Sequence, residues 1–350
     1  MVTFKEAMSA LNTVIDKGRV HLYKPIQVAE ILYRDRVVKD IDLANIEEYR
    51  SQSKKWRDDV TIPLVGRKCT SSARFQDDLF NSNAIPPSVL VVLGKENRRT
   101  NGAVEAYIYS QFTNKHIQLR NALDYCLNAT KQTFCVSNFI DSFWREPGLK
   151  RSLDKVYEII VYSLFSTLVE AIDLEVSVTV KESAYSLLRE FEDFSQKVMC
   201  LDCTNPIHIQ EARVYRVGVT NAADRGLDMY SNWGPAIQIK HLSLDTSIAE
   251  SIVNGISSDK IVIVCKDAEK DVIVSLLTQI GWRSHIQSVV TEKDLVDWYE
   301  KALKGKYSQK LGNKLLDSLA QEIANEFPYV DTTPDFIKDR HYEEIQKLEW

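Results

Sequence analysis

The run from Arg225 to Leu242 constrains this chain more than any other segment. It reads as a strand ending on the acidic Asp228, a short turn through Asn232, Gly234 and Pro235, and a second strand in which Gln238 and Lys240 alternate with Ile237 and Ile239. Side chains two apart on a strand share a face, so Gln238 and Lys240 point the same way. A hairpin of this kind brings one carboxylate, one amide oxygen and one ammonium to a single point. The competing reading is a hairpin with an ordinary solvated outer face. The apolar Ile237 and Ile239 and the small turn residues favour the first.

Those three groups suit phosphodiester hydrolysis. Negative charge builds on the non-bridging and leaving oxygens during phosphoryl transfer, so a bound cation stabilises the transition state and makes the attacking water more acidic. Asp228 and the Gln238 amide oxygen are hard oxygen ligands, which makes magnesium the expected ion. Lys240 carries a compact ammonium that can orient or help deprotonate the water and pair with the scissile phosphate.

The segment Arg216-Val-Gly-Val-Thr-Asn-Ala-Ala-Asp-Arg-Gly-Leu-Asp228, with Gly234-Pro-Ala-Ile-Gln238-Ile-Lys240-His-Leu, resembles the core of type II restriction endonucleases of the PD-(D/E)xK superfamily. More narrowly, it is similar to the HaeII-like family. Tyr23-Lys-Pro-Ile-Gln-Val-Ala-Glu-Ile-Leu-Tyr33 and Gly281-Trp-Arg-Ser-His-Ile-Gln-Ser-Val-Val290 extend the likeness over most of the chain. The resemblance implies magnesium-dependent cleavage of double-stranded DNA at a short, six-base, GC-centred palindrome, with a cognate DNA methyltransferase as genetic partner. It makes Asp228 the first metal ligand, puts Gln238 where Glu or Asp is usual, and makes Lys240 the motif lysine. The Gln is the main departure. An amide is a poorer cation ligand than a carboxylate, and the Ile239 carbonyl is a further oxygen donor.

A chain of 350 residues exceeds the size of roughly 250 to 300 at which single cores stop growing, so two domains are expected. We place a mainly helical DNA-recognition domain at 1–147 and the nuclease domain, with C-terminal helices, at 148–350. A net charge of -5 excludes a uniformly basic coat, so a DNA surface has to be a local basic cleft. The six cysteines, at 69, 126, 135, 200, 203 and 265, show no disulfide framework, and Cys200-Leu-Asp-Cys203 is a lone pair of thiols rather than a zinc site. With no secretory signal or long apolar run, a reducing cytoplasm and no membrane association are expected.

In the first half, Val2 to Ile15, Ile26 to Tyr33 and Leu43 to Tyr49 show helical spacing. The second of these opens either a helix-turn-helix element or a plain helical bundle. Candidate DNA contacts cluster at Arg67, Lys68, Ser71, Ser72, Arg74 and Gln76, since Arg and Gln read guanine and adenine edges and hydroxyls hold phosphates. A second basic loop, with Lys95, Arg98, Arg99 and Asn101, follows an apolar strand expected at Ser88 to Leu93. Charged loops are also commonly just solvated. A helix from Val104 to Leu127 leads to a break at Pro147-Gly148.

Beyond the break the pattern alternates: helix Leu153 to Ile172, strand Leu174 to Val180, helix Ser183 to Met199, strand Arg213 to Thr220, the Asp228 hairpin, strand Lys260 to Cys265, helix Val272 to Ile280 and strand Ile286 to Val290. That order predicts an α/β fold with a mixed sheet flanked by helices. Cores of the family this chain resembles often place an additional Glu from a preceding helix at the metal, which makes Glu170 and Glu190 candidates, though each fits a helix surface or an ion pair better. From Thr291, a cap, to Phe327 the chain is helical and amphipathic. Palindromic cleavage calls for a homodimer, and these helices are one candidate surface for it. A repair or structure-selective nuclease, and a noncatalytic DNA-binding protein disabled by Gln238, are the alternatives to a restriction enzyme.

Overall fold

The computed structural model describes residues 2–69, 77–217, 227–256, 258–268, 286–330, 334–342 and 344–345. The chain forms two compact units. One holds the chain up to Ile159 and takes it up again from Leu319; the other is built between Ile160 and Ser318. The change of unit thus falls inside a helix, after the Pro147-Gly148 break.

The first unit is helical. Thr3 and Glu6 form a reciprocal capping box that starts α1 (Phe4–Lys17). Then come α2 (Tyr23–Tyr33), α3 (Ser53–Val65), α4 (Pro87–Arg99), α5 (Ala103–Leu127) and α6 (Val136–Arg145). Every residue of α2 from Pro25 to Leu32 is buried, with α1, α3, α4 and α5 packed round it. A helix enclosed on all sides cannot itself enter a DNA groove, so α2 is a core helix of the bundle. The strand expected at Ser88 to Leu93 is also corrected: these residues open α4. Pro87 begins that helix, and Val89, Leu90, Leu93 and Asn97 recur on one buried stripe, a helical period that the apolar run had obscured.

Two buried carboxylates organise this unit. Glu30, 4% exposed, takes a bidentate contact from Arg340 at 2.6 and 3.0 Å and a hydrogen bond from the Tyr109 hydroxyl at 2.6 Å. Glu105, fully buried, accepts from Arg36 at 2.9 and 3.0 Å, Tyr342 at 2.6 Å and Asn97 at 2.6 Å. Charges removed from water persist only when paired and hydrogen-bonded like this. The Arg340 guanidinium also lies over the Tyr33 ring at 3.6 Å.

The second unit begins within α7 (Leu153–Ile172) and continues through β1 (Glu175–Thr179), the short α8 (Tyr185–Glu190) and α9 (Glu192–Met199), and β2 (Ile207–Glu211). Next are β3 (Val214–Arg216), β4 (Met229–Ser231), β5 (Ala236–Lys240), α10 (Thr246–Gly255), β6 (Ile261–Cys265), β7 (Ile286–Thr291), α11 (Glu292–Lys304) and α12 (Ser308–Glu326). The main sheet runs β3-β4-β5-β6-β7, antiparallel up to β5 and parallel from β5 to β7. Ile261, Ile263 and Ile286 pack with Ala249 and Ile252 of α10, so the parallel half is covered as such strands require. Tyr299 of α11 donates to the Ile160 carbonyl at 2.9 Å and Trp298 meets the Phe165 ring.

The mixed sheet with flanking helices is the expected fold. The cap at Thr291 is present as a capping box with Asp294. The strand at 174–180 exists, yet it pairs only with β2, an element the sequence reading missed, and stays outside the main sheet. The helix expected at Val272 to Ile280 lies outside the described residues.

Candidate active site

The hairpin forms largely as its residues dictate. Gly234 adopts φ +125°, which only glycine accepts readily, and Ser231 and Pro235 close the turn with a 3.0 Å backbone bond. Asn232 accepts from the Arg213 amide at 2.8 Å and donates to the Glu211 carbonyl at 2.8 Å, anchoring the turn to the preceding strand. One detail differs: Asp228 does not end a strand but stands immediately before β4. Its own carbonyl accepts from the Val217 amide at 2.8 Å.

Met229 pairs with Ile237, which puts Asp228 beside Gln238 across the hairpin. Asp228 Oδ2 accepts from Gln238 Nε2 at 2.5 Å and from the Ile239 amide at 2.7 Å. Because β5 is flanked by β4 and β6, Gln238 is only 2% exposed, so the solvated-face reading fails for this residue. Its amide orientation follows from the carboxylate, which needs the NH2 end. That leaves Gln238 Oε1 buried without a partner among the described residues. Such an oxygen costs about 1–3 kcal/mol unless a donor or cation meets it.

The N–H and C=O of one strand residue leave on the same side. The Ile239 amide points at Asp228, so its carbonyl faces the same place. The donor set is therefore one carboxylate, one amide oxygen and one backbone oxygen, all hard ligands, which fits a small divalent cation. Lys240, partly exposed at the end of β5, follows Gln238 by two and shares its face. No group of three or more His, Cys, Asp or Glu residues able to hold a metal occurs among the described residues, Cys200 and Cys203 included. Glu170 is exposed and paired with Lys314 at 2.5 Å, a surface role.

The other candidates are less concentrated. Arg67 donates to the Asn325 and Glu326 carbonyls at 3.2 and 2.8 Å, satisfying the C-terminus of α12, while Lys68 is exposed. Ser71, Ser72, Arg74 and Gln76 lie outside the described residues. Arg98 is ion-paired with Asp35, and Arg99 bonds Glu96 at 2.5 and 2.9 Å on the surface.

The model of the HaeII restriction endonuclease family matches residues 7–342. The chain belongs to that family. It is similar to the type II restriction enzyme HaeII of Haemophilus aegyptius, 53% identical over 345 residues that cover 98% of both chains. It is equally similar to the type II restriction enzyme NgoBI of Neisseria gonorrhoeae, 53% identical over 333 residues, 95% of this chain and 94% of that one. No solved structure matches. Family membership spans both units, so the helical bundle is as much part of the family's plan as the sheet that carries Asp228.

The residues that sequence reasoning missed are in the bundle. His21 and His116 have ring centroids 5.7 Å apart, and burial depresses them to about 3 and about 4, with His116 and then Arg67 also acting on His21. Nothing in their spacing announces the pair, since 95 positions separate them and only tertiary packing joins them.

Proposed function

We propose that this type II restriction endonuclease cleaves double-stranded DNA at the Asp228–Gln238–Lys240 face of its hairpin, with magnesium as cofactor and a short palindrome as target. The repair-nuclease and noncatalytic alternatives give way to the family's activity. The observation that carries the site is the buried Gln238 Oε1, without a partner among the described residues, beside a half-buried carboxylate. An aliphatic side chain would fill a sheet interior better, so an oxygen held there at a cost points to a ligand.

Asp228 Oδ1, Gln238 Oε1 and the Ile239 carbonyl would hold the ion. Magnesium there supplies charge that stabilises the pentacoordinate transition state and increases the acidity of the attacking water. The chain's own residues do the rest. The two bonds on Asp228 Oδ2 hold the carboxylate in place against β5. Lys240 pairs its ammonium with the scissile phosphate and helps orient the attacking water, whose proton passes to solvent.

The first unit is proposed to recognise the site, through Lys68 and the polar stretch Ser71, Ser72, Arg74 and Gln76, with Arg98 and Arg99 reaching phosphates once released from their carboxylates. The Arg99–Glu96 pair is exposed, so exchange of that carboxylate for a phosphate is cheap, whereas Arg98 would leave the buried Asp35 behind. A homodimer in the cytoplasm, protected by a cognate methyltransferase, completes the reading; no described helix is long and apolar enough to cross a membrane. Incubating the protein with magnesium and a plasmid of known sequence, then mapping the ends, tests it. Ends at one recurring palindrome are expected, and no cleavage with any divalent cation refutes it.

A further inference from the structure

The helix-and-hairpin segment between α7 and β3 is patterned inside out. Ten of the 23 large apolar side chains that are exposed among the described residues fall between Ile172 and Ile209, each 42% to 70% exposed. Leu187, Phe191, Phe194 and Val198 recur at the four- and three-residue intervals of a single helical face along α8 and α9, and that face is turned outward. The adjoining side is the one that packs, through Leu188 and Ser195, with Leu201 buried just past the end of α9. The hairpin beside it repeats the pattern. Ile207 pairs with Thr179 and Ile209 with Ser177, so both isoleucines project from one face of a two-stranded sheet, and all four residues are exposed.

A two-stranded ribbon is marginal in water by itself. Monomeric proteins seldom leave contiguous apolar patches above a few hundred Å². The six side chains on these two faces expose a little over three whole side chains, roughly 600 Å² of apolar surface, against about 800 Å² per partner in a standard stable interface of which about 60% is apolar. From Ile172 to Glu211 the chain has eight acidic residues and three basic ones, a local charge of -5 equal to that of the entire protein. Such a surface repels a phosphate backbone, so DNA is not its occupant.

We infer that this module is where a second copy of the chain docks, α8, α9 and the β1–β2 ribbon packing across a two-fold axis. The inference rests on the proposed palindromic cleavage, which requires two symmetry-related sites, and it moves the dimer surface from the C-terminal helices to residues 172–209. An isologous contact presents the same patch to itself, so one apolar face of the right size suffices. Its acidic rim makes association stronger, not weaker, as salt screens the two copies.

The test is sedimentation equilibrium of the full-length enzyme and of Phe194→Glu and Ile209→Glu, at low and high salt, with plasmid cleavage on the same samples. Both substitutions replace exposed side chains. The wild type is expected at twice the 40.1 kDa chain mass, and each variant to dissociate at least a hundredfold more readily, as for an interface hot spot. Concentration-dependent hydrogen-exchange protection of Ile207 to Glu211 in the wild type reads the same contact without any substitution. Variants that dimerise as the wild type does, a wild type that stays monomeric, or protection independent of concentration each overturn the inference. So do variants that lose DNA affinity with an unchanged mass. A dimer that cuts no DNA would instead fail the proposed function and leave this surface standing.

Discussion

Replacing Asp228 by Asn separates the fold of the hairpin from its chemistry. The Asn oxygen can occupy the place of Oδ2 and keep both donors, Gln238 Nε2 and the Ile239 amide. What changes is the strength of those bonds: a charged acceptor gives about 1.5–3 kcal/mol and a neutral one about 1, so the half-buried position should lose roughly 1–2 kcal/mol in all. That corresponds to a melting point lower by a few degrees in a chain of this size. The effect on the reaction is far larger. The cation loses its one charged ligand, and the new NH2 group is aimed at it. Cleavage should fall by two to four orders of magnitude, roughly 3–5 kcal/mol of transition-state stabilisation. Single-turnover conversion of supercoiled plasmid to linear product, beside a thermal melt of the same preparation, measures both. A folded Asp228→Asn enzyme cutting within tenfold of the parent refutes the assignment.

Gln238→Met keeps the volume but removes both the buried oxygen and the NH2 that donates to Asp228, so the cation concentration for half-maximal cleavage should rise at least tenfold while the two effects on stability oppose each other; an unchanged metal titration excludes Gln238 as a ligand. Lys240→Met should bind specific DNA in calcium within about threefold of the parent by fluorescence anisotropy, yet cut at least a hundredfold more slowly in magnesium. Lys68→Ala should lower the salt slope of DNA binding by about one unit, whereas Arg67→Ala should lower the melting temperature, having released the α12 carbonyls. Stability should also fall on acidification. His21 and His116 are held neutral when folded, so their contribution is complete above about 6.5 and disappears as pH drops towards about 3 to 4, roughly 2 kcal/mol per histidine by pH 5. A double His→Gln variant with the same acid transition as the parent would contradict this.

The Asp228 hairpin was legible because its information is local. Turn residues, a strand period and the three proposed site residues lie close together in the chain, and a two-residue period leaves no choice of face for Gln238 and Lys240. Long amphipathic helices such as α5 and α7 were legible for the same reason. Ser88 to Leu93 misled because a short apolar run has no period of its own, and Pro86 and Pro87, which set a helix start, lay just outside it. The strand β2 was hidden by its polar, exposed residues. Its partner β1 was visible, but pairing is a property of two segments 27 or more residues apart. Arg67 shows the limit of composition most plainly: an arginine in a polar loop has the same sequence signature whether it meets a phosphate or two backbone carbonyls.

The pairing of Glu30 with Arg340 and of Glu105 with Tyr342 also imposes an order of events on the living cell. Synthesis runs from the N-terminus, so Glu30 is made three hundred residues before the guanidinium that neutralises it. Until then Glu30 lacks the guanidinium that, in the finished fold, opposes the burial pushing its carboxyl above the usual range. The helical unit therefore completes its interior only after the ribosome has passed position 342. The helical unit of this nuclease thus closes only after the sheet that carries Asp228 has been made.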